Sequence, residues 1–185
     1  MVEEKKYEMP DFRAIPQFPH GNYRVDVSWQ HLELHLARQF QYGLDLDPDF
    51  QRPHVWTEAQ QVAYVEYILK NGSSGRELYF NCPGWQHGRT RGEYVIVDGK
   101  QRLQAVRRFM AGEIPAFGYR LEDYKSEPDM LSARFSWNIA EVESRAEVLR
   151  WYLDFNRGGT VHTQEDLSKV QELLTKEVGN EQKMV

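Results

Sequence analysis

The sequence predicts an α+β protein with a small mixed sheet and about five helices. Two aromatic and β-branched runs predict neighbouring strands at 76–82 and 93–97, and five stretches place apolar residues at helical spacing. With 185 residues, 41% of them hydrophobic, the chain can bury one core but is too short for two independent domains. We therefore expect an extended, proline-containing arm at 1–20, a single domain at 21–178 and a frayed tail at 179–185.

The first two helices have recognisable start and stop signals. Helix one is expected between Ser28, a capping-type residue, and Gly43, a helix terminator. Helix two is expected from Thr57, which forms a capping box with Gln60, to the region of Gly72. Their predicted buried positions are Leu32, Leu36, Phe40, Val62, Val65, Ile68 and Leu69.

Helix three follows the second strand directly, with Asp98 as its predicted N-cap and Gly112 as its predicted C-cap. A third strand is expected around 114–119, followed by a polar stretch to which we assign no element. Two more helices are expected at 143–156 and 163–178. Apolar stripes support two of these helices: Leu103, Val106, Phe109 and Met110 in helix three, and Val148, Leu149, Trp151, Tyr152 and Phe155 in the helix at 143–156.

Composition excludes several classes of protein. The 23 Lys and Arg against 28 Asp and Glu give a charge of -5, the wrong sign for a general nucleic-acid coat. Cys82 is the only cysteine and should be a buried structural thiol, and His31 and His35 lack a third ligand, so we expect no zinc and no haem. The charged start and the lack of a long apolar run predict a cytoplasmic protein without membrane contact.

The start of helix three has the clearest functional signal. A strand that turns directly into a helix leaves the N–H groups of the first turn free to bind an anion. Gly99 would allow a ligand close to the backbone, and Lys100 and Arg102 add positive charge. At about 100° per residue, Arg102 falls on the buried face, where a guanidinium needs an acceptor. Asp98 would repel phosphate unless a divalent cation lies between them or it acts as a base.

Another interpretation is purely structural: Asp98 only caps the helix and Arg102 pairs with a structural carboxylate. The spacing of these residues does not decide between the two interpretations.

Three segments resemble one family. Residues 98–102, DGKQR, resemble the DGQQR motif of the GmrS-type family, the nucleotide-hydrolysing domain of GmrSD-like type IV restriction enzymes in the ParB/sulfiredoxin superfamily. Residues 50–56, FQRPHVW, resemble its QRxxVW segment, and 154–163 resemble its NxGGTxxT segment. The three blocks have the family's order and span about residues 45–170. The resemblance implies a ParB/sulfiredoxin-like fold that binds nucleotide phosphates.

Carried over to this sequence, the resemblance implies that Asp98 is the acidic catalytic or magnesium-associated group. The phosphate-binding residues of the motif would be Gly99, Lys100, Gln101 and Arg102. Gln51 and Arg52 would supply a second phosphate-binding or structural position. A second loop at the nucleotide would comprise Asn156, Arg157, Gly158, Gly159 and His162. Lys100 stands where the family's motif more commonly has glutamine. This change is compatible with phosphate binding, because a positive charge near phosphate is favourable. The implied cofactors are magnesium and a nucleoside triphosphate (NTP) of undetermined base.

We therefore expect a nucleotide-binding domain with magnesium-dependent NTP hydrolysis or phosphoryl transfer, linked to DNA processing or phage defence. No nuclease domain like that of restriction subunits is expected in this chain. One alternative is a catalytically inert regulator, such as an anti-defence factor, that binds DNA or protein; another is a ParB-like nuclease. The expected partners are nucleotide and, in trans, DNA or a nuclease or defence protein.

Three local features have two interpretations each. The second loop could be an ordinary helix end or a further phosphate nest. The basic tract 86–91, with Arg107 and Arg108, could be a solvated surface or a DNA contact. Trp56 could stack on a base, but the sequence favours packing on helix two.

Overall fold

The computed structural model describes residues 23–88, 91–129, 131–156 and 164–183, so the predicted arm at 1–20 lies outside them. Four strands form one mixed sheet: β1 (Tyr23–Ser28), β2 (Glu77–Asn81), β3 (Val95–Asp98) and β4 (Arg134–Ala140). Their order is β1-β4-β2-β3, with β4 and β2 parallel and the other two pairs antiparallel. The predicted mixed sheet is therefore confirmed, and so is the pairing of its two predicted strands.

Five helices complete the fold: α1 (Leu32–Gln41), α2 (Glu58–Leu69), α3 (Lys100–Met110), α4 (Arg145–Asn156) and α5 (Gln164–Lys183). Short 3-10 turns lie before α1 (Trp29–His31), after β2 (Trp85–His87) and ahead of β4 (Leu121–Asp123). The predicted α+β class with about five helices is confirmed. Within the described ranges, no helix has both the length and the apolar composition needed to cross a membrane.

The sheet separates two apolar cores, because successive side chains of a strand point to opposite faces. In β3, Ile96 belongs to the core under α1, α2 and α3, whereas Val95 and Val97 belong to the core under α4 and α5. In the first core, the rings of Phe80 and Trp137 stack with their centroids 3.8 Å apart. The end of β3 therefore lies between two helical layers.

Local signals explain α2 well and α1 only in part. The predicted capping box of α2 is present: Gln60 N donates to Thr57 Oγ1 (3.3 Å), and Thr57 N donates to Gln60 Oε1 (2.8 Å). In α1 the prediction that Phe40 is buried is wrong, since it is 44% exposed and Gln39 is buried instead. At about 100° per residue, Gln39 lies about 20° from buried Leu32 around the helix, whereas Phe40 lies about 80° away. Gln39 therefore shares the buried face with Leu32, and Phe40 lies toward solvent.

One strand prediction is wrong, and two strands of the sheet have no prediction. The segment 114–119 is not a strand: Phe117 (φ 51°) and Gly118 (φ 81°) form a tight turn closed by a single bridge between Ala116 and Tyr119. Positive φ values at two successive residues are incompatible with an extended strand. Conversely, β1 and β4 were not predicted, although they supply half of the sheet.

Candidate phosphate-binding site

The junction between β3 and α3 is built around Gly99. This residue is the N-cap of α3 and has φ 102°, a left-handed conformation that favours glycine. A Cβ added there would lie 2.4 Å from Leu78 Cδ2, so packing against β2 also requires glycine. The prediction that Asp98 is the N-cap is wrong, because Asp98 ends β3 and its carboxylate binds a side chain. Gly99 has no side chain to cap α3, and among the described residues no other side chain bonds the amides of its first turn, so these amides are open to a ligand.

A cleft of about 140 Å³ opens at this junction. It lies between the loop before α2, the start of α3 and the end of α4. The cleft brings together eight of the predicted site residues: Gln51, Arg52, Asp98, Gly99, Lys100, Gln101, Arg102 and Asn156. The cleft thus brings together residues from the three segments that resemble the family, 50–56, 98–102 and 154–163, as that resemblance implies.

Arg102 has the acceptor that its buried position requires. Its Nη2 donates to Asp98 Oδ2 (2.5 Å) and to the backbone oxygen of Glu77 (2.9 Å). Its Nε is buried and has no hydrogen-bond partner among the described residues. The guanidinium is therefore paired with a carboxylate, as in the structural interpretation, yet retains an unsatisfied donor.

Lys100 points away from the free amides. Its Nζ contacts the carboxylate of Asp47 and donates to the backbone oxygen of Arg52 (3.0 Å). Because Asp47 offsets its charge, Lys100 ties the loop to α3 in this structure.

The two glutamines bind backbone groups. Gln51 Nε2 donates to the oxygens of Ile96 (3.1 Å) and Val97 (2.9 Å), which attaches the loop to β3. Gln101 Oε1 accepts from the amides of Val55 (3.0 Å) and Trp56 (3.2 Å), which attaches the same loop to α3. These contacts position the loop that contains Arg52; a direct phosphate contact for either glutamine stays a prediction.

The second predicted loop is described only at its first residue. Asn156 lines the cleft, and its Nδ2 donates to the backbone oxygen of Tyr152 (2.6 Å). The remaining predicted residues, Arg157, Gly158, Gly159 and His162, lie outside the described residues. Tyr152 and Phe155 also line the cleft, and sequence reasoning assigned them only to the core. Tyr152 lies one turn before Asn156 on the same face of α4, which was the available signal, whereas Phe155 precedes Asn156 directly.

The predicted basic surface is largely neutralised. Arg107 binds Glu33 through Nε (2.6 Å) and Nη2 (3.1 Å). Arg108 binds Glu113 (3.0 Å) and Glu58 (3.3 Å). These two arginines therefore add little free charge near the cleft, and part of the tract 86–91 lies outside the described residues.

Two minor predictions are confirmed. Trp56 packs on Tyr64 of α2, with ring centroids 5.5 Å apart, and also lines the cleft. Cys82 is fully buried, and its burial, followed by the nearby charge of Glu141, raises the pKa of the thiol to about 12. Such a thiol is not a nucleophile at neutral pH.

The metal ligands that the cleft offers fit a magnesium ion only if phosphate oxygens complete its coordination. Asp98 is the one carboxylate among the described lining residues. In the described part of the chain, no group of three His, Cys, Asp or Glu side chains could hold a metal. Magnesium in nucleotide sites is commonly bound by one or two carboxylates and the substrate phosphates. A magnesium ion that arrives with a triphosphate fits this arrangement.

The site thus combines the start of α3, two arginines and one carboxylate at the edge of a small α+β domain, an arrangement that could hold an anion such as phosphate. The sequence matches the N-terminal domain of GmrSD restriction endonuclease over residues 34–183, and the chain belongs to this family. Comparisons with curated proteins and with solved structures gave no match. The resemblance to the GmrS-type family is confirmed, whereas the wider ParB/sulfiredoxin relationship stays an expectation.

Proposed function

We propose that this chain binds a magnesium–NTP complex at the start of α3 and hydrolyses it or transfers a phosphoryl group. Membership of a restriction-endonuclease family relates the chain to DNA processing and phage defence. The observation that supports nucleotide binding best is the uncapped α3 N-terminus, which opens into a cleft lined by Arg52, Asp98 and Arg102.

The backbone and the charges favour phosphate over other anions. The first-turn amides and the helix dipole, equivalent to about half a positive charge, attract an anion. Arg52 and Arg102 line the cleft, where Asp98 offsets part of their charge, and Arg102 Nε has no partner among the described residues. The volume of about 140 Å³ is below the roughly 300 Å³ of typical small-molecule pockets. The described cleft therefore suits the phosphates, with the ribose and base outside it.

Asp98 and Arg102 are arranged for phosphoryl chemistry. Their contact at 2.5 Å orients the carboxylate while leaving its second oxygen for a proton or a metal. In the proposed step, Asp98 orients an attacking water or hydroxyl, or takes its proton. Arg102 and Arg52 offset the charge that develops on the phosphoryl oxygens. Bound magnesium would neutralise and polarise the phosphates.

Hydrolysis by purified variants tests the proposal. Arg102→Ala and Asp98→Ala should each reduce NTP turnover about 100-fold or more, because each removes a group that acts on the transition state. Arg107→Ala is the matched control, since it removes an arginine from the same helix whose partner is Glu33. Its turnover should equal that of the wild type. Unchanged hydrolysis by a folded Arg102→Ala protein would refute the assignment.

The ion pair between Asp98 and Arg102 also favours a second candidate function, a regulator that binds DNA or protein without turnover. The two groups satisfy each other and could serve the fold alone. A thermal-shift and hydrolysis screen against four NTPs with magnesium separates the candidates. Lack of stabilisation and turnover with every nucleotide, together with retained DNA or protein binding, would select the regulator. Magnesium-dependent DNA nicking that survives nucleotide removal would instead indicate the nuclease.

A further inference from the structure

A second concave site lies at the opposite end of the sheet. The phosphate cleft adjoins the end of β3 at Asp98, which pairs with Tyr79 in the first half of β2. The second site adjoins the other end, where β2 finishes at Asn81 and β1 begins at Tyr23. Its volume is about 410 Å³, so it is the larger of the two.

Aromatic rings form the walls of this pocket. Tyr23 and Trp85 have ring centroids 5.5 Å apart at 53°, and Tyr42 meets Trp85 at 6.4 Å and 85°. Tyr23 is 42% exposed and Tyr42 is 45% exposed, so nearly half of each side chain is accessible to solvent. Buried Tyr94 supports Trp85 from behind, at 5.9 Å. The rings thus form an open, supported concave surface that we call the aromatic pocket.

Polar groups adjoin the rings. Gln39 is 4% exposed; its Oε1 accepts from Tyr94 Oη (3.0 Å), and its Nε2 donates to His35 Nε2 (3.4 Å). Arg38 is exposed at the pocket and forms no hydrogen bond or ion pair with another described residue. The pocket therefore combines flat apolar walls with an amide and an exposed arginine that no described carboxylate pairs.

These groups discriminate between possible ligands. Aromatic cages also bind quaternary ammonium ions, but Arg38 would repel a cation, and no carboxylate is present among the described lining residues. A nucleobase has the opposite requirements: a flat face for stacking, a polar edge and an adjacent phosphate that attracts an arginine.

We propose that the aromatic pocket binds an unpaired base of a nucleic-acid strand, whose face stacks on Tyr42 and whose edge meets the nearly perpendicular ring of Trp85, while Arg38 contacts the backbone phosphate. The pocket is separate from the NTP cleft and does not depend on its function. It would allow an acidic chain to hold a strand through stacking with only one main phosphate contact.

The test is fluorescence anisotropy with labelled single-stranded DNA and RNA of about twelve nucleotides, a length within the usual site sizes. Tyr42→Ala and Trp85→Ala should each weaken binding about tenfold, the loss expected for one stacking contact. Arg38→Gln should lower the slope of log affinity against log salt by about one. Tyr119→Ala removes a tyrosine that is 60% exposed elsewhere, and it should leave the affinity unchanged.

Tyr42→Ala keeps the test decisive if Trp85→Ala does not fold, because the half-exposed Tyr42 side chain adds little to the core. The proposal is overturned if the folded wild type binds neither strand, if Tyr42→Ala binds like the wild type, or if tetramethylammonium occupies the pocket instead. NTP turnover should be unchanged in Tyr42→Ala, and strand binding should be unchanged in Arg102→Ala. Failure of one site is thereby distinguished from failure of the other.

Discussion

At the scale of single residues, Gly99 links the fold to the candidate site. It permits the abrupt change from strand to helix, and its missing side chain lets α3 begin directly against β2. The same position leaves the amides of the first turn uncapped. Packing and function therefore require the same glycine for different reasons.

Replacing Gly99 tests this account. We expect Gly99→Ala to lower the free energy of unfolding by about 2 to 4 kcal/mol, from left-handed strain and the contact with Leu78. Gly112→Ala is the matched control, because Gly112 has φ 71° but no atom within 4 Å of an added Cβ. Gly112→Ala should lower the free energy of unfolding by about 1 kcal/mol. Equal losses in urea unfolding would show that the packing contact is unimportant.

Sequence reasoning located the site but not the roles of all its residues. The helical angle predicted that Arg102 needs an acceptor, and the structure shows two. The family resemblance placed Gln51 and Gln101 at phosphate, a role that stays a prediction; in the structure the amide of Gln51 binds the backbone of β3, and that of Gln101 binds the backbone of the loop. A sequence shows that a polar residue is near a site, but not which of several partners it reaches across 45 or more residues.

At the scale of elements, Arg145 joins segments that lie far apart in the sequence. It binds Glu93 before β3 (2.5 Å), Asp49 in the loop before α2 (2.6 Å) and Glu177 in α5 (3.7 Å). The side chain is 24% exposed, so solvent screens this network only in part. Arg145 thereby holds α4 and α5 against the loop that leads to Arg52.

We expect Arg145→Met to lower the free energy of unfolding by about 1 to 2 kcal/mol at low salt, since three carboxylates lose a shared partner. The difference from wild type should shrink in high salt, as surface electrostatics do. Arg134→Met, which breaks only a pair with Asp26, should cost less than about 1 kcal/mol. A salt-independent loss would assign the effect of Arg145 to packing of its alkyl chain.

The elements that sequence predicted best are those with local signals. Capping residues and apolar periodicity located all five helices and the β2–β3 pair. In β4, alternating Phe135, Trp137 and Ile139 gave a usable period of two, but its flanks are polar. The pairing of β1 with β4 depends on residues 110 positions apart, such as Asp26 and Ser136. No local pattern specifies such a partner.

At the scale of the whole molecule, acid should destabilise the fold in two stages. Burial, followed by the charge of Arg38, lowers the pKa of His35, which packs edge-on against Trp137. The hydrogen bond from Ser136 lowers the pKa of Asp26. For both groups the unfolded chain binds protons more tightly, so stability is complete above the unfolded pKa and is lost as the pH falls through the folded pKa.

Thermal unfolding across about pH 8 to about pH 3 measures this dependence. The melting temperature should begin to fall below the ordinary histidine pKa of 6.5, and again below the ordinary aspartate value of 3.8. His35→Phe should reduce the first decrease, because phenylalanine retains a ring but cannot be protonated; His54, whose pKa is also lowered by burial, accounts for the remainder. A first decrease of unchanged size in His35→Phe would exclude His35 as a cause.

The connectivity of the sheet also bears on the order of folding. Among the described strands, β1 lies at the edge of the sheet beside β4, which comes last of the four in the sequence. During synthesis from the N-terminus, β1 must therefore wait for this partner until residue 140 has emerged, and β2, which is made later, lacks its parallel neighbour until the same point. Loop closure over such distances makes folding slow. The nascent chain consequently exposes two open strand edges, where a chaperone or a second nascent copy could pair with it.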